Sequence, residues 1–276
     1  MRIVNLIENT PGAAGCAAEH GLSFYVETPR HRLLMDAGPS ESTLENAQRL
    51  GISLKSVDTL VLSHGHYDHS GGILPFARIN RTAAIYIQRA AFSAYYSIDR
   101  ESDPARYIGI DPGISGLGSV VPVDGCLTID EELSLFTMTE HPYPIPSTNS
   151  RLRMRENVLL VPDTFAHDQA LAIHAEGRHI LLSGCAHNGI LNVLANYRRL
   201  YGGEPDLVIS GFHLMKNGDY TEDEKKEIDG IAEALMACRG VFVTGHCTGV
   251  PAYQRLKAIM GDKLRYAHSG EEISLN

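Results

Sequence analysis

The stretch VLSHGHYDHSGG, Val61 to Gly72, constrains this chain more than any other. His64, His66, Asp68 and His69 fall within six residues, straight after an apolar run. Neutral imidazole and carboxylate are good ligands for zinc, iron or manganese. In extended backbone His64 and His66, two apart, point the same way, so two imidazoles reach one ion. Asp68 and His69 follow where the chain turns toward a helix, placed to serve a second ion. Two metals ~3.5–4 Å apart can share a hydroxide, lower its pKa and clamp a developing oxyanion. Four residues cannot fill two coordination shells, so the spacing predicts distant ligands.

The strand pattern says where to look for them. Val57 to Ser63 reads as a buried strand that delivers His64 at its C-terminal end, where open α/β sheets place their sites. Three later apolar runs also enter a small-residue turn carrying a histidine: LLSGCAH (His187), VISGFH (His213) and VFVTGH (His246). Thirteen histidines leave room for coincidence, but four strand ends with one each point to a single shared site.

Strand-length apolar runs alternate with helical patterns throughout, which argues for an α/β fold. HRLLMD, His31 to Asp36, reads as a strand. Ser42 with Glu45 and Thr221 with Glu224 have capping-box spacing, and Gly51 is a helix stop. Glu176-Gly177 reads as the turn of a hairpin, followed by a helix from about Ile190 to Tyr201. The irregular middle, Ala90 to Glu156, reads as loops and a few strands over the core. Its aromatics (Phe92, Tyr95, Tyr96, Tyr107, Tyr143) read as ordinary packing.

Composition removes other classes. Among 276 residues, 24 are basic and 33 acidic, for a net charge of -9, which disfavours nucleic acid as a partner. Five scattered cysteines show neither a disulfide framework nor a CxxC pattern, so a reducing, cytoplasmic setting is expected. MRIVNLIENTPG reads as a first strand rather than a signal peptide, and no apolar run is long enough for a membrane span.

HGHYDH fits the H-x-H-x-D-H signature of the metallo-β-lactamase superfamily, and LLMDAG resembles its LLIDTG-like stretch. EHGLSF, ENAQRLGI, SGCAHNGI, SGFHL and TGHCTG narrow the resemblance to a subgroup of metal-dependent hydrolases. That subgroup includes a dihydropterin–ribofuranosylaminobenzene phosphate synthase. These blocks span nearly the whole chain. The resemblance therefore implies one domain, residues 1–276, folded as a four-layer αβ/βα sandwich with two divalent ions at one edge. Zinc is the expected metal, with iron and manganese as alternatives.

Carried over by position, His64 and His66 would hold one ion, Asp68 and His69 the other, and His246 would complete a shell. The superfamily's TPGHT-like histidine is missing, and Gly184-Cys185 stands where a Gly-Asp is usual. His187 is the favoured replacement ligand, with the Cys185 thiolate second. Cys185 otherwise reads as a small buried residue facing substrate. His213 is read as stabilising an oxyanion or holding a phosphate, or as a turn residue, and His20 as a weaker candidate of the same kind. Asp36 would orient a ligand histidine or cap a turn. His141, His167, His174 and His179 read as surface histidines, and the alternating Arg151, Arg153 and Arg155 as a solvated edge.

The leading function is a dinuclear metal-dependent hydrolase acting on a small anionic substrate through a metal-bound hydroxide, with Asp68 and His213 as catalytic groups. One alternative is a transferase condensing a dihydropterin diphosphate with an arylamine. Another is a metal-dependent ligand sensor without turnover, and a redox di-iron enzyme is a further option. A small molecule is the expected partner, without nucleic acid or membrane, and a homodimer is left open.

Overall fold

The computed structural model describes residues 1–13, 15–98 and 103–274. β1 (Arg2–Ile7), β2 (Ser23–Glu27) and β3 (Arg32–Met35) are antiparallel, and β4 (Thr59–Leu62) and β5 (Ala84–Gln88) add in parallel. β6 (Tyr95–Ser97) and β7 (Arg106–Tyr107) leave this sheet before β8 (Val120–Val123) returns to its edge beside β5. A second sheet starts with β9 (Leu127–Thr128) and β10 (Leu133–Phe136). β11 (Leu152–Glu156) and β12 (Leu159–Pro162) instead join β6 and β7 in a four-stranded outer sheet. β13 (Ala170–Ala175), β14 (Arg178–Ser183), β15 (Leu207–Ile209), β16 (Val241–Thr244) and β17 (Leu264–Tyr266) complete the second sheet. That sheet is antiparallel as far as β14 and parallel beyond it.

The side-chain alternation explains why the two large sheets stack. On β3, Leu33 and Met35 join the cluster between the sheets, while Leu34 joins the cluster on the helix side. β4 divides likewise, with Val61 inward and Leu60 and Leu62 outward. In the second sheet Ile180 and Leu182 of β14 point inward and Leu181 outward. Strands apolar on both faces need cover on both faces.

Helices supply the outer cover. α1 (Ser42–Arg49), the single turn α2 (Tyr67–Ser70) and α3 (Ile73–Ile79) lie on the first half, where Ala47, Ile73 and Phe76 pack against the first sheet. α4 (Ile190–Tyr201), α5 (Glu222–Met236) and α6 (Val250–Met260) cover the second through Leu194, Ile228 and Leu256. Full burial of each such side chain contributes about 1.5–3 kcal/mol. The result is the expected four-layer αβ/βα arrangement. No helix among the described residues is long and apolar enough to cross a membrane.

Local expectations divide instructively. Thr221 and Glu224 form a reciprocal capping box on α5, and Glu176-Gly177 turns the β13–β14 hairpin with both φ positive, at 53° and 70°. Ser42 does not cap α1. It is the first helical residue, preceded by Glu41 at the cap position, and its hydroxyl donates to Glu19 Oε1. Glu19 also takes the Ser40 hydroxyl, at 2.8 Å, so a carboxylate from outside the helix outcompetes the box.

Candidate metal centre

Five strand ends meet at one edge of the two sheets. β3 ends at Asp36, β4 at Ser63-His64, β14 at Gly184-Cys185-Ala186-His187, β15 leads to His213, and β16 ends at His246. All are C-terminal ends of parallel-paired strands, the edge where α/β sheets gather ligands. The backbone is bent hard here. Asp36, Ala186, His213 and His246 have φ of 62°, 49°, 49° and 46°, a left-handed region that non-glycine residues occupy only when their surroundings enforce it. Gly184 is required by close approach, since a Cβ there would lie 2.1 Å from Ser63 Oγ and 3.1 Å from His64 Nδ1.

His64, His66 and His187 form the first donor set. Their ring centroids are 4.6, 4.8 and 4.8 Å apart, and the Nε2 atom of each is buried without a hydrogen-bond partner. An unpaired buried polar atom costs ~1–3 kcal/mol, so three in one place need a reason. Burial, reinforced by the neighbouring imidazoles, holds His64 and His187 well below the usual histidine range and His66 at about 3. All three are neutral imidazoles, the form that binds a cation.

The second set gathers around His69 and His246. Their Nε2 atoms are 3.1 Å apart, Cys185 Sγ is 3.2 Å from His69 Nε2, and Asp68 Oδ2 is 3.3 Å from His246 Nε2. Donors ~2.0–2.3 Å from one tetrahedral ion lie roughly 3.3–3.6 Å apart, so the cluster has the dimensions of a coordination shell. Burial opposes charge on His69, but the Asp36 and Asp68 carboxylates push it up to about 9. Asp68 is ionised despite its burial, because the charge of His69 holds it well below the usual carboxylate range.

Outer partners fix which ring nitrogen is available. His69 Nδ1 donates to Asp36 Oδ2 at 2.6 Å. Ser63 Oγ donates to the same oxygen at 2.7 Å and therefore accepts from His64 Nδ1 at 2.8 Å. His246 Nδ1 donates to Asn9 Oδ1 at 2.8 Å, and His187 Nδ1 to Asn149 Oδ1 at 3.0 Å. Each asparagine also donates from Nδ2 to the backbone carbonyl of the same histidine, which orients the amide. All four histidines thus keep a proton on Nδ1 and turn Nε2 inward, and once His69 loses its second proton each presents a lone pair there. This is how ligating histidines are held. Lone pairs facing each other at 3.1 Å across His69 and His246 repel unless a cation or proton lies between them.

The remaining candidates fall around this core. Asp36 orients His69, as expected of it. Cys185 is buried, and its sulfur lies within 4.8 Å of donors of both His64 with His187 and His69 with His246. His213 packs against His187 at 4.1 Å between centroids with the rings tilted by 49°, and His20 Nε2 lies 3.4 Å from Asp68 Oδ2 at the rim. Above the centre a cleft is lined by Tyr67, Ser97, Arg106, Arg151, His20 and His213, among others.

Three readings need correction or completion. His167 is not a surface histidine; it is fully buried beside His66. Its Nδ1 accepts from Gly65 N at 3.0 Å, so its Nε2 carries the proton given to Asp163 Oδ2 at 3.1 Å. With both nitrogens engaged it braces the HGH turn. Arg151 does not lie on a solvated edge, because it lines the cleft from the end of the turn before β11. Arg106, Asn9 and Asn149 went unnoticed in the sequence, where single polar residues in loops carry no periodic signal.

Two mixed sheets between helices, with imidazole, carboxylate and thiol groups gathered at their edge, define a four-layer αβ/βα protein whose clustered side chains could hold metal. Residues 17–229 match the family described as the metallo-beta-lactamase superfamily, and the chain belongs to it. It is 28% identical to the 7,8-dihydropterin-6-methyl-4-(beta-D-ribofuranosyl)-aminobenzene-5'-phosphate synthase of Methanocaldococcus jannaschii, over 93% of this chain and 90% of that one. Among solved structures it is similar to Tm1679, a metal-dependent hydrolase of the beta-lactamase superfamily. That likeness has a TM-score of 0.84 and 26% identity, covering 100% of this chain and 99% of the other. Zn(2+)-bound PqqB from Methylobacterium extorquens shares the fold, with a TM-score of 0.58 at 13% identity over 100% of both chains.

Proposed function

We propose that the chain, acting as one domain, is a dinuclear metal-dependent hydrolase of a small anionic substrate. The observation that carries this reading is the trio of unpartnered Nε2 atoms on His64, His66 and His187, set beside the cluster of Asp68, His69 and His246. The first trio would hold one divalent ion and the second cluster another, and the nitrogen- and sulfur-rich donor set favours zinc over manganese. When bound, the ions supply Lewis acidity and water activation at neutral pH.

The chain's own residues supply orientation and charge. Asp68, ionised and reaching both His246 and the rim residue His20, ties the second cluster to the cleft. Arg106 and Arg151 give the cleft a positive wall suited to a carboxylate or phosphate group. The Thr148 hydroxyl donates to the His213 carbonyl, so its oxygen accepts from His213 Nδ1 at 3.0 Å. His213 Nε2 is then an acceptor. Burial first, and then the charge of Arg151, hold that imidazole at about 3, so it is neutral at physiological pH. It orients a nucleophile's O–H or N–H and does not act as a cationic oxyanion donor. Five free cysteines and a small-molecule cleft fit a cytoplasmic enzyme without a nucleic-acid partner.

A transferase reading has one specific support, the 28% identity to the M. jannaschii synthase. In that reaction an arylamine would occupy the place of water and a diphosphate would leave. Metal-loaded protein is to be incubated with ester, lactone and phosphate panels, and with a dihydropterin diphosphate with and without an arylamine. Water-dependent product that vanishes in Asp68→Asn supports the hydrolase. Pyrophosphate release that needs the amine replaces it with the transferase, and stoichiometric binding without turnover replaces both with a sensor.

A further inference from the structure

We propose that Cys185 Sγ is shared, as a thiolate, by both ion positions, making the centre a sulfur-bridged pair. The inference rests on the dinuclear reading above and extends it to the chain's own bridging ligand. Among the described residues Cys185 is the one side chain common to the donor group of His64 and His187 and to that of His69 and His246. The sulfur is 3.2 Å from His69 Nε2 on one side. On the other side stand the buried, unpartnered Nε2 atoms of His64 and His187.

Charge balance asks for such a group. The six candidate ligands besides Cys185 (His64, His66, Asp68, His69, His187, His246) are five imidazoles, which bind metal as neutral ligands, and one carboxylate. Two divalent ions would bring four positive charges to a ligand set whose one negative charge is Asp68, with the Asp36 carboxylate standing further out, behind His69. A second anion that touches both ions relieves the imbalance at each. Coordination displaces the thiol proton to solvent, as at other metal-bound cysteines.

The backbone is shaped to hold the sulfur there. Gly184 lets the end of β14 press against Ser63 and His64, and Ala186 turns with φ 49° so that Cys185 and His187 both face the centre. At Gly211 a Cβ would lie 3.6 Å from the Cys185 Cα and 2.3 Å from Cys247 Sγ, so bulk is excluded behind the cysteine as well. Cys247 Sγ is close as well, 3.6 Å from the Cys185 carbonyl, but among the described residues it belongs to neither donor group. Of the two sulfurs, Cys185 is the one both groups share. A shared thiolate makes the centre select thiophilic metals such as zinc, cobalt and iron over magnesium or manganese.

The test is titration of the metal-stripped full chain with cobalt(II), following the near-ultraviolet sulfur-to-cobalt charge-transfer band and the bound metal by elemental analysis. Wild type is expected to bind two equivalents, with the band growing across both. Cys247→Ser is expected to keep the band. Cys185→Ser and Cys185→Asp are expected to lose it, the serine variant binding cobalt at least tenfold more weakly and the aspartate variant still taking two ions. Two equivalents bound without a band, a band that grows over one equivalent alone, or a band abolished in Cys247→Ser and kept in Cys185→Asp would each overturn the bridge. In those outcomes the dinuclear reading stands. Wild type that binds no cobalt overturns both. Should Cys185→Ser fail to fold, the wild-type titration and the Cys247→Ser comparison still decide.

Discussion

Asp36→Asn separates the two things that Asp36 does to His69, and their effects on metal binding oppose each other. The Asp36 carboxylate raises the basicity of the His69 ring, and removing such an outer partner typically costs 10–100-fold in metal affinity. The same carboxylate also favours a competing proton, holding His69 at about 9 in the metal-free chain. At pH 7 that proton lies two units below its pKa and costs the metal about 100-fold, a factor of ten per unit. Asparagine tolerates the φ of 62° at this position, but its one amide oxygen can serve Ser63 N or the pair His69 Nδ1 and Ser63 Oγ, not both sides. The substitution therefore removes the charge and one acceptor with little change of shape.

Without that charge, Asp68 is the one carboxylate left opposing burial, and the His69 pKa falls. The sign follows directly. Wild-type affinity for the ion at Asp68, His69 and His246 rises with pH as the His69 proton is lost, up to about pH 9. In Asp36→Asn this contribution moves to lower pH, so the variant's curve flattens toward alkaline pH. At pH 9 the variant binds about 10–100-fold more weakly than wild type, near pH 7 the two converge, and at pH 6 the variant binds at least as well. Zinc competition against a chelating dye at fixed pH, with circular dichroism to verify folding, measures both curves. Curves that stay parallel from pH 6 to 9, with the variant weaker by one constant factor, would refute the competing-proton argument.

Further expectations follow from other residues. Asn9→Ala and Asn149→Ala free the ring orientation of His246 and His187 and should each weaken metal binding by about 10–100-fold, read by the same dye competition. His167→Asn should leave metal content unchanged while costing ~1–3 kcal/mol, because it strips Gly65 N and Asp163 of a buried partner. A drop of roughly 2–4 °C in Tm per kcal/mol would register that loss. Gly184→Ala places a Cβ 2.1 Å from Ser63 Oγ and should cost at least ~1–3 kcal/mol, visible as a lower urea midpoint. Arg106→Ala should raise KM for an anionic substrate with kcat little changed; a fall in kcat at constant KM would contradict a binding role.

The sheets were legible because their strands alternate cleanly around apolar pairs such as Leu33 and Met35 against Leu34. The strand-end histidines were legible for a related reason: a ligand-type residue just past a buried run has little other business there. What escaped the sequence was whatever depends on distant partners. Ser42 and Glu45 have the spacing of a capping box, yet Glu19 reaches in from another segment and takes the serine. His167 is indistinguishable from a surface histidine until the HGH turn folds over it. Asn9 and Asn149 lie more than a hundred residues apart and clasp histidines in the same manner, a symmetry that no local pattern announces. Cys185 and His187 were alternatives for a missing ligand, and the structure sets both beside His64.

The most direct test of the dinuclear centre is an anomalous-difference map from crystals of the zinc-loaded chain, collected on both sides of the zinc absorption edge. Two peaks are predicted, one touching His64, His66 and His187, the other touching Asp68, His69 and His246, with Cys185 Sγ between them. A single peak, or a zinc ion bound by His167 and Asp163 with the His64, His66 and His187 Nε2 atoms still unpartnered, would contradict the account.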